Sequence, residues 1–341
     1  MRKKFQINCN KRLSIISNLK GWLLPLLLIL VSSPARAQLI LDFSPKGGNF
    51  PREIIKLEQT RHSAADVKDT FQLEIGDSTV SVEDQTATLD IGFLYYSKKN
   101  RKVTFEGFDN TGDTISTSNY YSITRKDLPE KLYKDYGYIG LPIFIGDSRL
   151  NLYYGQLTVS DGKDLSDEDI IRYVNFEYYL TPLEQQTWVV GWYYTEAFGG
   201  IYNVPFLGYL SEGDEILAVQ IVFPVKWSVG AIFQNGWILG IGQQLEGEAF
   251  RLTEEDPWNS AIVSFTGVRS TASIGFHFQS GWYLRIEGGS LTQQKIDFYD
   301  DSISISSEEV SEENYLSDDI PLLEMSLDDT TFWGIRLSWA F

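Results

Sequence analysis

Only two histidines occur in the 341-residue chain, and only His277 has a serine close by in a regular segment. A base and a hydroxyl nucleophile must meet within hydrogen-bond reach. His277 and Ser280 are three apart in an alternating segment, so a strand turns them to opposite faces. His62 falls in an irregular N-terminal stretch, and the spacing as a whole speaks against a hydrolytic pair. The single cysteine, Cys9, sits in a basic leader, which excludes a disulfide or thiol-metal framework from the remainder. The acidic run 300–331, with Glu308, Glu309, Glu312, Glu313, Asp318 and Asp319, has the charge to gather divalent cations. A calcium loop also needs closely spaced carboxylates around a glycine, and this run has no glycine. It reads as a solvated loop, and no cofactor or metal is expected.

A second set of polar groups is defined by phase. Asp90, Glu177, Gln220, His277, Arg285, Glu287 and Arg336 each sit in a segment whose apolar residues occupy the alternate positions. Arg285 and Glu287 are two apart and therefore share a face. If that face lines an interior, these groups either order a passing solute or neutralise one another in a wet lumen.

Strands are the elements that must position them. In 173–180, Val174, Phe176, Tyr178 and Leu180 oppose Tyr173, Asn175, Glu177 and Tyr179; in 271–279, Ala272, Ile274, Phe276 and Phe278 oppose Thr271, Ser273, Gly275 and His277. Segment 215–223 sets Leu217, Val219, Ile221 and Phe223 against Ala218 and Gln220. Segment 86–95 reads as one run with Ala87, Leu89, Ile91, Phe93 and Tyr95 on its apolar face. Short turn signals at 279–281, 234–236, 211–214 and 146–148 divide such segments into hairpins. The spacing predicts fourteen strands between 67 and 341, within a range of 12 to 14, including 116–126 and a single strand over 215–233. The count is even, as a barrel with both ends on one side requires.

At the C-terminus Trp333, Ile335, Leu337, Trp339 and Phe341 fall on one face, and Gly334, Arg336, Ser338 and Ala340 on the other. A closing strand of alternating aromatic and aliphatic residues ending in Phe resembles the insertion signature of bacterial outer-membrane β-barrels. The region 215–253 resembles uncharacterised barrels of that kind without assigned substrate. The resemblance implies a transmembrane antiparallel β-barrel of the all-β class, recognised by the barrel assembly machinery and surrounded by outer-membrane lipid and lipopolysaccharide.

The ends of the chain and its charge fit that reading. Residues 1–37 carry seven bases and no acid, a short Leu-rich run and Ala35-Arg36-Ala37, the pattern of a cleaved secretory signal. The run is too short for a membrane helix, which needs ~20 residues. Without these residues the balance is 22 bases against 46 acids, a net −24, which repels nucleic acid. Residues 38–65 read as an irregular extension or plug, 66–341 as the barrel, and 300–331 as its acidic extracellular loop. The expected function is non-enzymatic: a porin-like channel or scaffold in the outer membrane. A lipid-modifying outer-membrane enzyme and a surface adhesin using the acidic loop are the alternatives, and a soluble β-sandwich is the rival architecture.

Overall fold

The computed structural model describes residues 53–340, apart from 72–77, 92, 108–114, 118–120, 124–127, 147, 163–168, 184–185, 198–199, 213–216, 224, 234, 253–260, 279–280 and 300–322. The leader, residues 38–52 and Phe341 lie outside the described residues. The chain forms β1 (Glu53–His62), β2 (Ala65–Phe71), β3 (Thr79–Asp90), β4 (Leu94–Glu106), β5 (Ile115–Thr117) and β6 (Tyr121–Ile123). Then follow β7 (Lys131–Ile145), β8 (Ser148–Ser160), β9 (Ile170–Leu183), β10 (Gln186–Ala197), β11 (Gly200–Glu212) and β12 (Leu217–Phe223). The last six are β13 (Lys226–Ile232), β14 (Trp237–Arg251), β15 (Ile262–His277), β16 (Trp282–Tyr299), β17 (Leu323–Leu327) and β18 (Thr330–Ala340).

Fourteen of these close into an antiparallel barrel. β1 pairs with β18 on one side and β3 on the other, so the first strand completes the ring. Beyond His62 and Thr330, β2 and β17 pair with each other and carry the same two wall positions further. β5 and β6 form a separate small hairpin. Reversals beside Ile91, Gly146, Gly236 and Gly281 mark the lower end, and β4, β8, β14 and β16 finish at the upper end. Two lower turns share one design: Phe233 and Phe278 donate to Trp237 and Trp282, while Gly236 and Gly281 take φ of 90° and 83°, which side chains with a Cβ rarely adopt.

The count of fourteen is as expected, although its members differ. Glu53–His62 is a wall strand and not part of an extension or plug. The described residues of 215–233 fold as two strands, β12 and β13, and those of 116–126 belong to the separate β5–β6 hairpin and not to the wall. The run 86–95 spans a reversal at Ile91–Phe93, so Tyr95 changes face and points inward while Phe93 is exposed. Part of the acidic run is also wall: 323–327 is β17, and Glu324 pairs with Lys295.

The wall has two zones of opposite polarity. Below, apolar side chains point outward: Trp333, Ile335, Leu337, Ile286, Ile139 and Trp188 are 38–65% exposed. A belt of this kind is stable against hydrocarbon and not against water. Above, the outward face carries Lys68, Lys102, Lys295, Glu324 and Asp328, whereas Val80, Val103, Phe105, Leu132, Phe298 and Met325 pack inside. In β16 the reversal follows from one extra residue. Two residues of β16, Gln293 and Gln294, face one of β15, Gly267, between the paired positions Thr266–Lys295 and Val268–Thr292, and Gln293 adopts φ 53°. Even-numbered Trp282 and Ile286 therefore point out below the bulge, and even-numbered Ile296 and Phe298 point in above it. The breaks at Ser63–Ala64 and Asp328–Asp329 flip the adjoining wall positions in the same way. The Gln294 side-chain amide donates to Asp328 O (2.8 Å) and Thr330 Oγ1 (2.9 Å), tying two of these breaks together.

The wall is also uneven in height. β12 and β13 have seven residues each, and β14 pairs with β13 only as far as Gln244. Above that point β14 crosses the interior, and Arg251 pairs with Ser160 of β8. Phe250 and Val263, from the upper parts of β14 and β15, are fully buried in the upper core. The β14–β15 tip thus fills the interior above the lumen.

Candidate functional site

A cavity of about 640 Å³ occupies the barrel interior below this apolar packing. Its roof is an ion cluster. Arg101 grips Asp84 with two hydrogen bonds, Nε to Oδ1 and Nη2 to Oδ2, both 2.8 Å. Glu248, from the crossing part of β14, accepts from Lys99 (2.6 Å), Arg101 (2.7 Å) and Lys134 (3.2 Å). These groups are largely removed from water, so their charges must be matched by partners, and each carboxylate here has at least two. The Arg101 guanidinium lies 4.9 Å from the Phe265 ring and 5.8 Å from Phe250. Carboxylates satisfy it from one direction and the apolar core packs against it from the other.

A second cluster follows the ring closure. Glu58 accepts from Arg336 at 2.8 and 2.9 Å and lies 3.6 Å from Lys56. Glu287 binds Arg269 (2.7 Å) and Arg285 (3.3 Å) and lies 3.9 Å from Arg336. Arg269 also reaches Glu246 (3.0 Å), with its guanidinium 3.9 Å from the Phe332 ring. Arg285 and Arg336 are direct cross-strand neighbours. Like charges so placed repel, and the carboxylate of Glu287 between them offsets the repulsion.

The opposite sector is phenolic. Tyr95 stacks on Tyr138 (centroids 5.0 Å apart), Tyr136 on Tyr173 (5.2 Å), and Tyr153 meets Tyr138 edge to face (5.0 Å). Two glycines make this close approach to the wall possible. A Cβ on Gly155 would stand 2.2 Å from the Tyr173 ring, and one on Gly140 would stand 2.8 Å from Tyr153. The rings therefore lie along the barrel and leave the lumen free.

Six of the seven polar residues selected by phase line this cavity: Asp90, Glu177, Gln220, Arg285, Glu287 and Arg336. The structure brings Arg285, Glu287 and Arg336 together. Glu177 lies apart, held by Tyr179 (2.5 Å), Tyr153 (3.2 Å) and Asn175 (3.2 Å). Asp90 ends β3 at the lower rim, and Gln220 faces in from β12 opposite Ser228. His277 ends β15 away from the cavity lining, with its backbone N–H on Gly236 O (2.8 Å). Ser280 lies outside the described residues. Of the C-terminal set, Trp333, Ile335 and Leu337 are exposed on the belt and Trp339 is half-buried.

Sequence reasoning missed the roof cluster and the phenolic wall. The signal for part of the roof was present, since Lys99 and Arg101 continue the inward phase of Tyr95 and Ser97 along β4. Their partner Glu248 is 149 positions from Lys99, and no local pattern links them.

No protein-family model matches the chain, and no curated protein matches it in sequence. Solved structures similar to it include a deltaS2 mutant of the TodX monoaromatic hydrocarbon channel (10% identity, 92% of this chain and 94% of that one, TM-score 0.34). Others are the outer-membrane protease OmpT from Escherichia coli (10%, 87% and 100%, 0.24) and a triple mutant of Rhodopseudomonas blastica porin (10%, 84% and 99%, 0.22). The likeness is one of barrel shape and carries no residue or activity across.

Proposed function

We propose that this chain, exported by a cleaved signal, is a non-enzymatic outer-membrane barrel that admits small polar solutes to its lumen. The observation that carries the reading is a charged cavity held at the height of the apolar belt and roofed by the ion-paired tip of β14. A wall of this kind needs a polar interior only for solvation, but the cavity also has the volume of a small-molecule site, ~300–1,000 Å³. Glu248 is the latch of the roof. It is the carboxylate of the crossing segment that three bases of β4 and β7 hold.

Current across planar bilayers tests this. The mature chain should conduct weakly, and Glu248→Gln, which leaves three buried bases poorly matched, should raise the current several-fold. Absence of current from both proteins, with folding confirmed by heat-modifiable gel mobility, would refute the channel reading.

A further inference from the structure

We infer that the lumen binds a hydroxylated carboxylate of sugar-acid size, with its carboxylate at Arg285 and Arg336 and its hydroxyls along the phenolic wall. This names the substrate class for the proposed channel and rests on that reading for its physiological sense. Three features of the cavity converge on it.

The first is a bare floor. On the inner faces of β13, β14 and β15 the cavity meets Ser228, Gly230, Gly240, Gly242, Thr271 and Ser273, with Gly230 paired directly to Gly240 and Gly240 to Ser273. Glycine inside a strand forfeits packing and often marks a place where something approaches the backbone closely. Neither Gly240 nor Gly242 has a ring against it comparable to Tyr153 on Gly140. The nearest atom to a Cβ on Gly240 would be the small Ser273 hydroxyl, at 2.9 Å.

The second is what faces that floor. In a ring of fourteen strands β4, β7 and β8 lie seven positions from β13, β14 and β15, so Tyr95, Tyr136, Tyr138 and Tyr153 stand directly across the lumen. Tyr95 stacks on Tyr138 and Tyr153 meets Tyr138 edge to face, so the four rings form a continuous phenolic lining of the cavity. Such a wall, with Thr88, Ser97 and Asn175 beside it, suits a ligand rich in hydroxyl groups.

The third is charge. The ring-closure cluster turns four bases inward, Lys56, Arg269, Arg285 and Arg336, against three acids, Glu58, Glu246 and Glu287, in a chain whose formal charge is −17. Two of the bases are the neighbouring guanidiniums of Arg285 and Arg336, whose planar forks match a carboxylate. Arg336 is already held by Glu58 and Arg285 by Glu287, so a ligand carboxylate would join these two as a third anion on the lumen side of the guanidiniums.

Calorimetric titration of the mature chain in detergent tests the inference, with D-glucuronate, D-glucose and hexanoate as probes. Saturable binding of glucuronate is expected, with glucose and hexanoate each weaker by at least about tenfold, since each lacks one set of polar contacts. Arg285→Gln should weaken glucuronate about tenfold or more and leave the weak glucose signal unchanged. Gly240→Ala, which places a methyl on the floor, should weaken both sugars and keeps the test usable if the arginine variant fails to fold. Equal binding of hexanoate, equal binding of glucose, or no binding of glucuronate would each overturn the inference. Conductance of the same preparations separates the two readings: current without glucuronate binding removes the ligand class alone, and binding without current removes the channel.

Discussion

The lower and upper parts of this barrel are built from the same alternation and solve opposite problems. Below, β16 places Trp282 and Ile286 outward and Arg285 and Glu287 inward; above Gln293 the same strand places Lys295 outward and Ile296 and Phe298 inward. One part is dissolved in hydrocarbon and keeps its polar groups inside. The other is dissolved in water and keeps its apolar groups inside. Period two fixes that a strand has two faces, whereas one inserted residue decides which of them meets the core. The bulges thus let a continuous wall emerge from the membrane without exposing an apolar face to water.

Substitutions that exchange the two environments should be the most damaging. Phe298→Ala, in the fully buried upper core, should cost about 3–5 kcal/mol, measured as a lower midpoint in urea unfolding followed by tryptophan fluorescence. Ile335→Arg, on the outward face of β18 in the belt, should cost about 2–4 kcal/mol when the barrel refolds into bilayers. Arg at Ser326, above the belt on the same side of the chain's closing wall, should fall within about 0.5 kcal/mol of the parent. Lys295→Gln removes an exposed ion pair with Glu324 and should shift stability by no more than about 1 kcal/mol, with the shift shrinking further in high salt. If Ile335→Arg and the Ser326 change had equal effects, the two zones would share one solvent.

What the sequence disclosed follows from where its patterns are local. Val174 to Leu180, Ala272 to Phe278 and Trp333 to Trp339 stay in one zone, so their alternation gives the correct outward face. Arg285, Glu287 and Arg336 were legible for the same reason: each lies below the bulges, on a strand with a clear apolar face. The run 86–95 misled at Tyr95 because the Ile91–Phe93 turn shifts the phase while the residues stay hydrophobic. β1 was missed because its outward positions carry Gln59 and Arg61 above Ile55 and Leu57, so only its lower part has the alternation of a belt strand. The roof cluster joins β3 and β4 to β14 through the crossing of the β14 tip. That crossing depends on the shortness of β12 and β13, a tertiary consequence that no single segment records.

The central claim is that one face of one strand passes from lipid into water. Nitroxide labels at Ile286→Cys and Lys295→Cys, both outward on β16, test it directly in the barrel reconstituted in bilayers. Relaxation by dissolved oxygen should dominate at 286 and relaxation by a water-soluble nickel chelate at 295. Equal access of the nickel chelate to both labels would contradict the account.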